Sequence, residues 1–124
     1  MYTKIKTFED ACLVLELDAK NVIPDFSFFP KNDIQPMIDH AKLVIINQAI
    51  NGKDYIPDWS NSNEIKYYPW FIMGSSSGVG FAFGAYDSWL SHSHVGSRLC
   101  FKTREKALYA GKQFEDLYKS YFVK

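Results

Sequence analysis

Apolar and polar positions follow two different periods along this chain. Residues 7–16, TFEDACLVLE, place Phe8, Ala11, Cys12 and Leu15 at helical spacing. Thr7 caps this helix, and Asp10 stands at its third position, as in a capping box. Residues 33–51 predict a longer helix. Asp33 is its N-cap, Pro36 falls in the first turn where a missing N–H does no harm, and Asn51-Gly52 is its stop. Ile34, Met37, Ile38, Ala41, Val44, Ile45 and Ala49 form one stripe. Leu43, Ile46 and Ile50 widen it, so much of this helix is buried. Between the two helices, NVIPDFSFFP (21–30) is a Pro-bounded loop predicted to pack Phe26, Phe28 and Phe29 onto the core.

The second half shifts towards a period of two. Residues 65–73, IKYYPWFIM, are aromatic on both alternating faces, which predicts a strand covered on both sides. Pro69 makes it an edge strand or a bulged one. Residues 79–86, VGFAFGAY, alternate cleanly: Val79, Phe81 and Phe83 face one way, and Gly80, Ala82 and Gly84 the other. GSSSG (74–78) connects these two strands. SRLCFK (97–102) reads as a third short strand, with Leu99 and Phe101 on one face and Cys100 opposite. Thr103 then caps a terminal helix, TREKALYAGKQFEDLYKSYF. Its small residues Ala107, Ala110 and Gly111 form a notch suited to Phe81 and Phe83. Lys112–Asp116 and Glu115–Lys119 are its outward i,i+4 pairs. The predicted order is α-α-β-β-β-α. It is one α+β domain, residues 1–124, with a three-stranded antiparallel meander packed against helices.

Composition narrows the function more than the fold. The hydrophobic share is 47%, and 14 basic residues balance 14 acidic ones, so the total charge gives no general attraction to nucleic acid or anionic lipid. Cys12 and Cys100 are too few for a disulfide framework. No signal-peptide pattern opens the chain and no apolar run is long enough to span a bilayer, so the expectation is a cytoplasmic location with free thiols and no membrane contact.

Several motifs carry chemistry only in part. Gly74-Ser75-Ser76-Ser77-Gly78 matches G-x-S-x-G, but a nucleophile elbow needs a strand before it and a helix after it, and here a strand follows. His92 or His94 could supply a base and Asp87 an acid to a small hydrolase. Residues 77–84 match the RNP1 consensus at Gly78, Gly80 and Phe81, but they lack its first basic residue and two of its three aromatics. A looser nucleic-acid surface remains. Tyr67, Tyr68, Trp70 and Trp89 could stack bases, with Lys66, Arg98, Lys102 and Arg104 around them. His92-Ser93-His94 is one imidazole pair, with only His40 to add and no Cys-x-x-Cys, so no metal site is assigned. PDWSNSNE (57–64) has the composition of a calcium loop, but the closing Glu would fall on Pro69. Cys100 reads as a buried structural thiol.

PDWSNSNEIKYYPWF (57–71), SGVGFAF (77–83) and HVGSRLCFKTREKALYAGKQFEDLYKSYF (94–122) together resemble a family of small proteins or domains found in phages and integrated mobile elements of Bacteroides-type gut bacteria. The resemblance covers about the C-terminal two-thirds and, more loosely, the first helix. It implies a genomic context rather than a reaction, and it carries over no functional residues.

The expectation is therefore a non-enzymatic domain of a phage or mobile element. It would bind a protein partner or itself, or act as an assembly component. Aromatics number 21 of 124, and those beyond the needs of a core mark interfaces. The candidate binding residues are Trp59, Tyr68, Trp70, Trp89, Arg98 and Arg104. The alternatives are a single-stranded nucleic-acid-binding module and a small hydrolase. No catalytic residue, metal or cofactor is assigned.

Overall fold

A computed structural model describes residues 1–73 and 82–123, with Ala82 described in its backbone alone. The readings made for GSSSG, Val79, Gly80 and Phe81 lie outside the described residues. Four α-helices are described: α1 (Phe8–Val14), α2 (Ile34–Asn51), α3 (Arg104–Gln113) and α4 (Glu115–Phe122). Two strands, β1 (Lys66–Ile72) and β2 (Ala82–Trp89), pair antiparallel. Short 3-10 turns occupy Tyr2–Lys4 and Lys31–Asp33. The fold is α+β, but its sheet has two strands and the predicted three-stranded meander is not formed.

The third strand fails for a local reason. Phe101 makes one antiparallel bridge, to Tyr67, and the ladder goes no further. Beside that bridge the Asn51 side chain does a strand's work. Its amide donates to the Cys100 carbonyl at 3.0 Å and its oxygen accepts from the Lys102 N–H at 2.8 Å. With those backbone groups satisfied by a helix end, no further strand is needed. Ser97–Leu99 form turns and a bend, and Leu99, Cys100 and Phe101 are all buried, so the apolar alternation reflects a buried irregular segment and not a two-faced strand.

The helices form largely as the pattern predicts. Thr7 and Asp10 make a reciprocal capping box on α1. α2 spans Ile34–Asn51 and stops at Gly52, whose φ of 105° is open to glycine. Asp33 stands at the N-cap position of α2 without a side-chain capping bond. The terminal helix is broken at Phe114 (φ −115°, ψ 29°), which ends α3 and begins α4. The break lets α3 lie on the hairpin while α4 packs on α2. Neither predicted surface pair, Lys112–Asp116 across the break or Glu115–Lys119 within α4, forms an ion pair. Glu115 instead accepts from the Phe83 N–H at 2.6 Å.

One core joins all these elements, running through Phe8 and Ala11, Leu43, Ile46 and Ile50, Phe71 and Phe101, and then Ala107, Ala110, Phe114 and Tyr118. The predicted notch is real for Phe83, whose ring occupies the space where a Cβ on Gly111 would stand. The aromatic loop departs from expectation: Phe28 is 95% exposed and Phe29 is 42% exposed, and Phe26 packs edge-on against Phe29. Among the described residues no helix is long and apolar enough to cross a membrane.

Candidate functional site

Strand alternation puts Lys66, Tyr68 and Trp70 on the outer face of β1. Their partners across the hairpin are Trp89, Asp87 and Ala85. The register slips between Trp70 and Phe71 because Gly84 of β2 is left without a partner, so the bulge lies on β2, while Pro69 pairs in register with Tyr86. This outer face is closed at one end and open at the other.

At the closed end the 57–64 loop folds over Lys66, whose side chain has no exposure. Its ammonium donates to the carbonyls of Asp58 (2.8 Å) and Asn61 (3.3 Å) and stands 3.7 Å from Glu64 Oε1. It also lies 5.1 Å from the Trp59 ring centroid. The loop that has a calcium-loop composition thus encloses a cation of its own, the adjacent lysine. Glu64 also accepts from the Asp58 N–H at 2.9 Å, which ties the loop's two ends together. Trp59 packs on Trp89 at 5.8 Å, and Trp89 is buried with its Nε1 unpartnered among the described residues.

Next along the face, the Tyr68 hydroxyl donates to Asp87 Oδ2 at 3.0 Å and stands 3.5 Å from His94 Nδ1. The His94 ring stacks on Tyr68 (5.6 Å, 27°) and leans on Trp89 at 4.8 Å. Burial, then the bond to Asp87, pushes the Tyr68 hydroxyl up to about 12, so it stays protonated near neutral pH. His94 occupies a turn in which the Gly96 N–H meets the Ser93 carbonyl at 2.5 Å. Its φ of 33° is a costly conformation for a non-glycine residue, here braced by the ring contacts. His92 lies 6.4 Å from His94, edge to face.

At the open end, Trp70 is 48% exposed and its six-membered ring lies over Gly84, where a Cβ would collide with it. On the face of β2 that carries Gly84, this indole makes the close approach. Ile72 and Met73 continue the exposed apolar surface beyond it.

Of the six candidate residues, Trp59, Tyr68 and Trp89 form one cluster and Trp70 shares their face. The arginines stand apart. Arg104 Nε donates to Glu105 at 2.9 Å, and its guanidinium also meets the Tyr86 hydroxyl. Arg98 lies on the segment after β2, and its guanidinium donates to the Ser97 hydroxyl at 3.5 Å. It borders a cavity of about 500 Å³ walled by Leu15, Val44, Ile45, Ile56 and Trp59. Tyr55 also lines this cavity, and its hydroxyl is buried and unpartnered among the described residues.

Two functional features escaped the sequence reading: the enclosed Lys66 and the joining of His94 and Asp87 to Tyr68. Strand alternation carried part of the signal, because it places Lys66 on the face of Tyr68 and Trp70. Among the described residues no three of His, Cys, Asp and Glu gather to hold a metal. Burial pushes the Cys100 thiol up to about 11, which makes it a poor nucleophile. Compared with protein-family models, with curated proteins and with solved structures, the chain matches none.

Proposed function

We propose that this chain is a cytoplasmic, non-enzymatic binding domain that acts by association through the open end of its hairpin face. One observation carries the reading: Trp70 and Ile72 on β1, and Met73 just past its end, are each about half exposed, while the strand's other residues are largely covered. Trp70 is held in place over Gly84, so its contact area is presented at little cost in side-chain entropy. The partner favoured is a second copy of the chain. Its net charge is zero, so two copies approach without mutual repulsion, and an apolar patch of this kind is self-complementary about a two-fold axis. The cytoplasmic assignment rests on two free, buried cysteines. A phage or mobile-element origin is part of the same proposal and rests on the resemblance alone.

Single-stranded nucleic acid is less supported. Two of the four cations expected to rim the aromatics are committed, Lys66 inside the 57–64 loop and Arg104 on Glu105, and Asp87 adds an acid to the face. Sedimentation velocity over a wide concentration range tests the association. The expected result is a concentration-dependent dimer that the double variant Trp70→Ser/Ile72→Ser reduces to monomer. A wild-type protein that stays monomeric at the highest concentration removes the self-association reading.

A further inference from the structure

We propose that the cavity between α2 and the 55–59 segment is a binding site for a small monocarboxylate with an apolar body, whose carboxylate is read by Arg98. The volume, about 500 Å³, is that of a small-molecule site. Val44 and Ile45 belong to the stripe of α2 that sequence assigns to the core, yet here they stay only half-buried and face an open cavity. Ile56, at 82% exposed, leaves its wall almost bare. Apolar surface of this kind gains from a ligand body that takes it out of water.

Charge then selects the head group. No Asp or Glu lines the cavity among the described residues, and Arg98 makes no ion pair with any described residue. One guanidinium with an apolar neighbourhood balances one negative charge, and its planar fork matches a carboxylate. A phosphate dianion would bring a second charge with no counterion, and an amine would meet Arg98 as a like charge. Gln48 adds no competing donor, because its amide N–H groups are committed to the carbonyls of Gly52 (2.6 Å) and Tyr55 (3.3 Å).

The test titrates the full chain with octanoate, phenylacetate and octylamine, followed by Trp fluorescence and by backbone amide shifts. Saturable binding of octanoate or phenylacetate is expected, with shifts centred on Val44, Ile45 and Arg98, and octylamine should bind weakly or not at all. The preferred acid tells whether the natural body is a chain or a ring. Arg98→Gln should weaken the acid about tenfold or more while melting as the wild type does. Ile56→Glu, at an exposed position that does not endanger the fold, should weaken it as well. The proposal is overturned if neither acid saturates, if octylamine binds as well as octanoate, or if Arg98→Gln binds like the wild type.

Discussion

At the residue scale the most consequential position is Lys66. A lysine without solvent exposure is rare, and this one is tolerated because two carbonyls, a carboxylate and an indole face surround its ammonium. Lys66→Met keeps the apolar stem and removes the charge. The carbonyls of Asp58 and Asn61 then lose their donor, and the cost of stranding such groups is about 2–4 kcal/mol. The expected outcome is a lower urea midpoint together with a change in Trp emission, since Trp59 loses the cation over its ring. A Lys66→Met protein with the wild-type midpoint would mean that the loop holds itself without the ammonium. The short polar bonds inside the loop, such as Ser60 to Asp58, would then be doing that work.

At the element scale the hairpin and α3 are coupled through two glycines that answer differently to the same change. Gly111 lies mid-helix, where Gly→Ala ordinarily gains about 1 kcal/mol. Here the new methyl meets the Phe83 ring and lies 2.8 Å from Pro69 Cβ, in a packed seam where neither ring can retreat far. Overpacking reverses the sign, and Gly111→Ala should lose about 1–3 kcal/mol. At Gly84 the obstacle is the half-exposed ring of Trp70, which can swing into solvent. Gly84→Ala should therefore cost under about 1 kcal/mol but move the indole, seen as a red-shifted emission and weaker self-association. Thermal melts of the two variants side by side check this, and equal losses would contradict it. The same seam marks how far the sequence could be read. Phe83 against Gly111 was legible because each element signals its own small or large face. α1 and α2 were legible from caps and stripes. The third strand was misread because the bonds at Cys100 and Lys102 come from Asn51, some fifty residues away, and alternation carries no trace of that partner. The break at Phe114 was invisible for a similar reason. Helical spacing continues across it, while the need for α4 to turn onto α2 is set by tertiary packing. The candidate site was legible in its aromatics, and its cations were not, because burial of Lys66 and pairing of Arg104 are decided in three dimensions.

For the whole molecule, the docking of α4 on α2 carries a pH dependence. His40 on α2 stacks on Tyr121 of α4, with ring centroids 4.3 Å apart and 27° between planes. Burial holds the His40 imidazole below its ordinary value of 6.5, because the protonated ring would have to leave water at this seam. In the unfolded chain His40 titrates at its ordinary value, so between that value and the lower folded one the unfolded state binds more protons. Stability therefore rises with pH across that window and is lost on acidification through it. Asp25 and Asp58 are held below 3.8 by their bonds to Ser27 and Ser60, so what they contribute is lost only at more acidic pH and does not blur the histidine window. Melting temperature measured between about pH 7.5 and 5.5 should fall as the solution is acidified. His40→Phe preserves an aromatic stack with Tyr121 and removes the proton, so its curve should be flatter over the same range. If the variant instead keeps the full wild-type slope, the proton that loosens the molecule binds elsewhere, and the seam between α2 and α4 is not its pH-sensitive joint.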